Sequence, residues 1–390
     1  MTSMARPWGV VQISMPGMDG VLVAAVTVLI AFGVVMVASA SMHVGESGGD
    51  SLHYVNRHLA ALAIGVVFGW LVFRTPTHWW QRWSTVLYFV GFALLLLVFV
   101  PGLGREANGA LRWVAAGPFS LQTSEFMKVF IVLYMAGYLV RRQVEVAYSV
   151  WGFVKPILLL VLACAALMMQ PDFGTTTVLL MTAFGMLFLG GAPLWQFASL
   201  LTAAIGALVA LVWISPYRLA RVTSFLDPWE HARDSGYQLT LALIAFGRGE
   251  WTGVGLGNGI QKQFYLPAAH TDFVMAVIGE EFGLLGTLLV IGMFGLIVWR
   301  AYAIGIAAEL RGDRFAAYVA YGIGLWLGMQ AFVNIGVNVG LLPTKGLTLP
   351  FLSYGSNSLI VCCMAIGMLL RVRYENRTAD IAREGQWQRA

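Results

Sequence analysis

The stretch His270-Thr271-Asp272-Phe273 sets a carboxylate immediately ahead of a long apolar run that reaches Gly279-Glu280-Glu281. A carboxylate at the edge of a bilayer has the chemistry of a general base, and equally that of a helix N-cap, which the positive end of the helix dipole favours. Upstream, Arg105-Glu106-Ala107-Asn108-Gly109-Ala110-Leu111-Arg112-Trp113 precedes Gln122-Thr123-Ser124-Glu125-Phe126-Met127-Lys128. Guanidinium groups match phosphate oxygens with paired hydrogen bonds, so the two arginines are candidate phosphate ligands. Glu125 and Lys128, three residues apart, share a helix face and can pair, as a buried structural ion pair or as part of a site.

Gln170-Pro171-Asp172-Phe173-Gly174 leaves almost no loop between two apolar runs, and Asp172 reads first as the N-cap of the second. Gln330, Asn334 and Asn338 recur every fourth residue along one helix face, a stripe that interhelical hydrogen bonding accounts for. It leads into Leu342-Pro343-Thr344-Lys345-Gly346 and then Ser353-Tyr354-Gly355-Ser356-Asn357-Ser358. Irregular backbone of this kind survives at membrane depth only where protein or a cavity covers it. The run from Gly253 to Gly259 has glycines spaced like a dinucleotide fingerprint but follows no strand of a βαβ unit. It reads instead as a flexible turn that brings Gln261 and Lys262 to an anionic headgroup.

These residues hang on an unusually apolar chain. Of 390 residues, 59% are hydrophobic and only 11% charged, against roughly 25% charged in an ordinary soluble domain. A soluble globule is excluded. Apolar windows predict an all-α polytopic membrane protein with ten spans, near 20–42, 56–73, 85–101, 121–140, 154–169, 174–190, 194–214, 271–299, 315–338 and 356–371. With both termini cytoplasmic, the inner segments hold fourteen Lys and Arg residues and the short outer loops four, as the positive-inside rule requires. The chain divides into a cytoplasmic segment at 1–19, a transmembrane domain at 20–373 and a cytoplasmic tail at 374–390.

The one large outer loop, about 215–270, begins with an amphipathic stretch over 217–226 suited to the headgroup layer. Its Trp229, Tyr237, Trp251 and Tyr265 suit the interface as well. Cys164, Cys362 and Cys363 lie in apolar runs at no metal-ligand spacing and read as packing residues. The net charge of +5 is scattered over loop ends, which argues against nucleic acid.

Taken in order, Asn108-Gly109-Ala110 with Arg112-Trp113, Gln122 with Ser124-Glu125 and Lys128, Gln170-Pro171-Asp172-Phe173-Gly174, Gly236-Tyr237-Gln238 and Gln261-Lys262 carry a family resemblance. The pattern continues through Leu266-Pro267, His270-Thr271-Asp272-Phe273, Gly279-Glu280-Glu281, Leu349-Pro350-Phe351 and Ser353-Tyr354-Gly355. The chain resembles the SEDS family of shape, elongation, division and sporulation proteins over residues 20–373. The stretch from Asn334 to Asn338, followed by Leu342 to Pro350, resembles division-type members more than elongation-type ones. Thr123, Leu241-Ala242, Ala268 and Ser356-Asn357 depart from the family's usual residues.

The resemblance implies a peptidoglycan glycosyltransferase of the bacterial cytoplasmic membrane, working at the division septum. Its substrate would be lipid II, the undecaprenyl-pyrophosphate-linked disaccharide-peptide. Asp272 is then the expected catalytic base. Asn108, Arg112, Glu125, Lys128, Gln170, Asp172, Gln238, Lys262, His270, Lys345, Ser353 and Tyr354 are the expected substrate-binding set. Arg112, Lys128 and Lys345 would serve the leaving pyrophosphate. A divalent cation, magnesium or manganese, enters as a candidate with Glu125 as its ligand, and no organic cofactor is expected. The implied partners are a class B penicillin-binding transpeptidase and division proteins such as FtsQ, FtsL and FtsB. A lipid II flippase or a noncatalytic division scaffold would use the same residues differently.

Overall fold

The computed structural model describes residues 18–387 apart from 48–49, 51, 108–109, 117–118, 215–224, 235, 264 and 345. Long apolar stretches with few breakers become helices α1 (Gly20–Ser47), α2 (His53–Arg74), α3 (Thr77–Leu97), α4 (Thr123–Arg141), α6 (Val150–Met169), α7 (Phe173–Leu189) and α8 (Leu194–Ile214), with the short α5 (Gln143–Tyr148) before α6. Then follow α9 (Tyr237–Gly249), α10 (Val274–Leu310), α11 (Arg314–Asn338) and α12 (Ser356–Trp387). Among the described residues, eight of these helices are long and apolar enough to cross a membrane, and α7 is a shorter apolar helix of 17 residues. Each expected span falls on a helix. α12 runs on through residue 373 without a break. Most of the stretch at 217–226 lies outside the described residues.

The all-α expectation is incomplete. Gly104–Ala107 (β1), Ala110–Ala116 (β2) and Phe119–Gln122 (β3) form an antiparallel sheet in the order β1-β2-β3. Trp113 pairs with Arg105 on one side and with Gln122 on the other. β1 and β2 pair with Ala107 opposite Ala110. The large loop also contributes α9, whose Leu239, Ala242 and Ala245 are buried against α10.

Burial separates the core from the lipid-facing helices. Across the most apolar stretch of each helix, α4 is 89% buried and α11 78%, whereas α2 and α3 are 28% and 22% buried. α4 and α11 therefore form the centre, and the functional candidates carried on them point into protein. Peripheral α2 docks on α12 by small residues: a Cβ on Gly69 would lie 2.8 Å from the Cys363 carbonyl oxygen, and one on Gly367 would lie 2.2 Å from that of Gly69. Cys164, Cys362 and Cys363 are free and buried, as packing residues should be.

α10 is broken at Gly283, whose φ of 63° and ψ of −156° interrupt the helical ladder. The chain after α9 repairs the break. Leu284 and Leu285 donate to the carbonyls of Glu250 (2.9 Å) and Trp251 (3.1 Å), and Val254 and Gly255 donate to those of Glu280 and Glu281, both at 3.0 Å. Buried backbone groups are thereby paired in spite of the kink. Because a Cβ on Gly283 would meet the Gly253 nitrogen at 2.5 Å, Gly283→Ala should destabilise the protein by roughly 2 kcal/mol or more. A thermal-unfolding series in detergent reads this directly; an unchanged midpoint would mean that the kink is not required.

A cavity around Asp272 as the candidate functional site

Five segments meet at one end of the bundle and enclose a cavity of about 250 Å³. β2 supplies Arg112, the α6–α7 turn supplies Pro171, Asp172, Phe173 and Gly174, and α9 supplies Gln238. Asp272 and Phe273 enter ahead of α10, and Thr344 and Gly346 enter after α11. Arg112 is braced by the turn it faces, donating from Nε to the Gln170 carbonyl (3.1 Å) and from a terminal nitrogen to that of Pro171 (2.6 Å). This ties the sheet to the α6–α7 turn and sets a guanidinium in the cavity wall.

Asp172 is an N-cap, as its position predicts: its carboxylate accepts from the Thr175 amide (3.2 Å) and hydroxyl (2.9 Å). Asp272 is not. The N-cap residue of α10 is Phe273, which makes no side-chain cap, so capping does not explain the carboxylate at 272. Its backbone is held in a turn in which Thr271, Asp272 and Phe273 all donate to the Ala268 carbonyl. A Cβ on Gly346 would approach one Asp272 carboxylate oxygen to 3.1 Å, so glycine there lets the two segments close around the acid.

Burial pushes the Asp272 carboxyl up to about 6; Arg112 opposes the shift and Asp172 adds to it. Burial also lowers His270, which favours its neutral form. The His270 ring packs against Tyr54 and Tyr354, with centroids 5.0 and 5.7 Å away, and its carbonyl accepts from the Tyr354 amide at 2.8 Å. His270 and Tyr354 thus brace the segment that carries Asp272 instead of lining the cavity. Ser353 folds its own turn, its hydroxyl accepting from the Leu349 amide at 2.8 Å.

The remaining expected residues sit elsewhere. Lys128 is buried, 2.7 Å from Glu125 and donating to Gln330 Oε1 at 2.8 Å, outside the cavity lining. Gln330 in turn donates to the Thr348 carbonyl at 2.9 Å. Gln170 donates from its side chain to the Leu95 carbonyl at 2.8 Å. Lys262 is buried against Glu281 and Ser39, and Glu280 takes Arg248 and the amides of Ile260 and Gln261. Asn108 and Lys345 lie outside the described residues.

Thr344, Gly174 and Gly346 line the cavity without having been singled out as ligands. For the glycines the signal was steric: Gly174 opens a helix where alanine would be the better former, yet a Cβ there would strike Leu347 at 2.6 Å. Among the described residues there is no cluster of three or more His, Cys, Asp and Glu suited to a metal. Glu125, with Lys128 against it, does not face the cavity.

Fold and site together define a multi-pass membrane protein with a part-buried carboxylate sharing a cavity with an arginine. Residues 20–378 match the FtsW/RodA/SpoVE cell cycle protein family model, and the chain belongs to that family. It is 54% identical over 367 residues to a probable peptidoglycan glycosyltransferase FtsW of Allochromatium vinosum, covering 93% of this chain and 92% of the relative. A protein of the same description from Pseudomonas fluorescens is 50% identical, covering 93% and 89%. A solved chain from a peptidoglycan synthase complex, described as coordinating polymerization and crosslinking, superposes with a TM-score of 0.77 at 30% identity, covering 93% of this chain and 99% of that one. The rod shape determining protein RodA of Thermus thermophilus gives 0.69 at 27% identity, with 93% and 98% covered.

Proposed function

We propose that this chain polymerises lipid II into glycan strands at the division septum of the bacterial cytoplasmic membrane, with Asp272 as general base. The carrying observation is the Asp272 carboxylate itself: desolvated, capping no helix, and sharing a cavity with Arg112. In this reading the chain has ten spans with both termini cytoplasmic, which the distribution of Lys and Arg supports, and the cavity and the sheet face the outer side, where the lipid-linked sugars are.

In the proposed step the 4-hydroxyl of the acceptor sugar attacks the anomeric carbon of the donor. The new C–O bond forms as the bond to pyrophosphate breaks, the proton passes to Asp272, and the bonding pair leaves with undecaprenyl pyrophosphate. One displacement turns an α-linked donor into a β-linked product, so one base suffices. Arg112 is placed to meet the charge that grows on the departing phosphate. In this reading the cavity takes the reacting end of the donor, while the polyprenyl tail and stem peptide extend beyond it.

For a magnesium or manganese ion the donor set is a poor fit: Glu125 is taken by Lys128 and both Asp172 carboxylate oxygens are taken by Thr175, so no step is routed through a metal. The partner is a class B penicillin-binding transpeptidase, with FtsQ, FtsL and FtsB as further division partners. Support for a crosslinking partner comes from the structural relative drawn from a synthase complex.

The deciding experiment supplies labelled lipid II to the purified chain with its cognate transpeptidase, alongside an Asp272→Ala variant that still binds that partner. Polymer from the native complex alone is expected. Equal polymer from both would remove Asp272 as base; none from either would favour a flippase or scaffold.

Because the base works only when ionised, polymerisation should fall as the pH drops through about 6, the value to which burial raises Asp272. A limb near pH 4 in the rate profile would mean that the carboxyl is solvated during the reaction.

A further inference from the structure

We propose that Asn334 and Asn338 are positioning residues for this reaction, and that Asn338 does so by occupying the first turn of α10 as a carboxamide wedge. The inference rests on the reading of Asp272 as base.

In an uninterrupted helix the carbonyl of residue 272 would accept from the amide of residue 276. Here Asn338 stands between them. Its Nδ2 donates to the Asp272 carbonyl at 3.0 Å, and its Oδ1 accepts from the Ala276 amide at 3.1 Å. Both ends of the would-be helical bond are satisfied by one side chain, and α10 accordingly begins at Val274, leaving Asp272 outside the helix. One turn earlier on α11, Asn334 donates to the same Asp272 carbonyl at 2.9 Å and also to the carbonyl of Leu347. Asn334 and Asn338 are both buried, at 2% and 0% exposure, where an unpaired amide would be costly. Their geometry is therefore over-determined: Asp272 is pinned by its main chain while its side chain stays uncommitted and faces the cavity. The same face of α11 ties down the segment after that helix, Asn334 through Leu347 and Gln330 through Thr348.

Without the wedge, the Asp272 carbonyl keeps Asn334 and the Ala276 amide keeps the Phe273 carbonyl at 3.0 Å, but nothing stands between the two groups to stop them from closing on each other. α10 then winds back over Asp272, which turns the carboxylate away from its part-buried seat in the cavity wall and into the field of the helix N-terminus. Both changes lower its affinity for a proton. A misplacement of about 1 Å at a catalytic group reduces turnover on the order of a hundredfold.

The test uses the native complex with its transpeptidase and labelled lipid II, comparing Asn338→Ala, Asn334→Ala and Asp272→Asn. For Asn338→Ala, kcat should fall roughly 10- to 100-fold with KM within about threefold, and the acid limb of the pH–rate profile should move to lower pH. Asn334→Ala, which keeps the wedge, should show a smaller loss in the same sense, and it decides the matter if Asn338→Ala yields no folded complex. A lowered kcat with the limb unmoved would mean only fewer active molecules and would overturn the positioning role, as would native kinetics in both asparagine variants. If instead Asp272→Asn keeps the native rate, the base reading falls, and the reason for holding Asp272 falls with it.

Discussion

Asp272→Asn is expected to give a folded, partner-binding chain that makes glycan strands about 10²- to 10⁴-fold more slowly than the native protein, the range associated with loss of a positioned general base. The substitution is close to isosteric and leaves the main-chain carbonyl that Asn334 and Asn338 hold. Only the proton acceptor is lost. Stability should not suffer, and the sign follows from the raised pKa. Burial makes the folded chain bind this proton more tightly than the unfolded chain, so the native protein loses stability as the pH rises from about 4 to about 6. An asparagine carries no such penalty. The variant should therefore unfold at or above the native midpoint at pH 7, and the difference should shrink at pH 4. Strand synthesis within tenfold of native would remove Asp272 from the chemistry, whatever the thermal data show.

What made Asp272 visible in the sequence was its cost. A carboxylate at the head of an apolar run needs a reason, and the N-cap reading falls because the N-cap of α10 is Phe273. Arg112, Asp172 and Gln238 were legible for the same reason, as polar groups at span ends that the fold gathers round one cavity. Glu125 and Lys128 show where such reasoning stops. Spacing of three residues establishes that the two side chains meet, but not whether the shared face looks into a cavity or into protein, and on α4, the most buried helix, it looks into protein.

Hydropathy likewise located each apolar span but says nothing of backbone direction. The break at Gly283 lies two residues after Glu281 inside the span expected at 271–299, and hydropathy does not mark it. The sheet was missed for a related reason. Its strands are too short to alternate convincingly, and the segment from Arg105 to Trp113 reads first through its arginines, as candidate phosphate ligands. The stripe of Gln330, Asn334 and Asn338 was legible as interhelical glue; its partners, the main-chain carbonyls of Asp272, Leu347 and Thr348, could come only from the fold.

The pair of Glu125 and Lys128 carries the other large expected effect. Their side chains are 6% and 1% exposed and 2.7 Å apart. Removing one partner leaves the other charge buried without compensation, so Glu125→Leu or Lys128→Met alone should destabilise the protein by about 3–5 kcal/mol. Replacing both together removes both charges from the interior and should restore most of the native stability, since apolar residues of similar volume substitute well for a buried pair. Gln330 Oε1 would still accept from the Trp326 indole at 2.9 Å, and Gln330 would still reach the Thr348 carbonyl, so the segment carrying Gly346 beside Asp272 should stay in place. Strand synthesis by the double variant then separates two roles that the single variants confound. Activity that returns with stability makes the pair a brace for the cavity floor. A chain that regains its thermal midpoint yet makes no polymer would show that the Lys128 charge itself acts on the leaving pyrophosphate, which its absence from the cavity lining argues against.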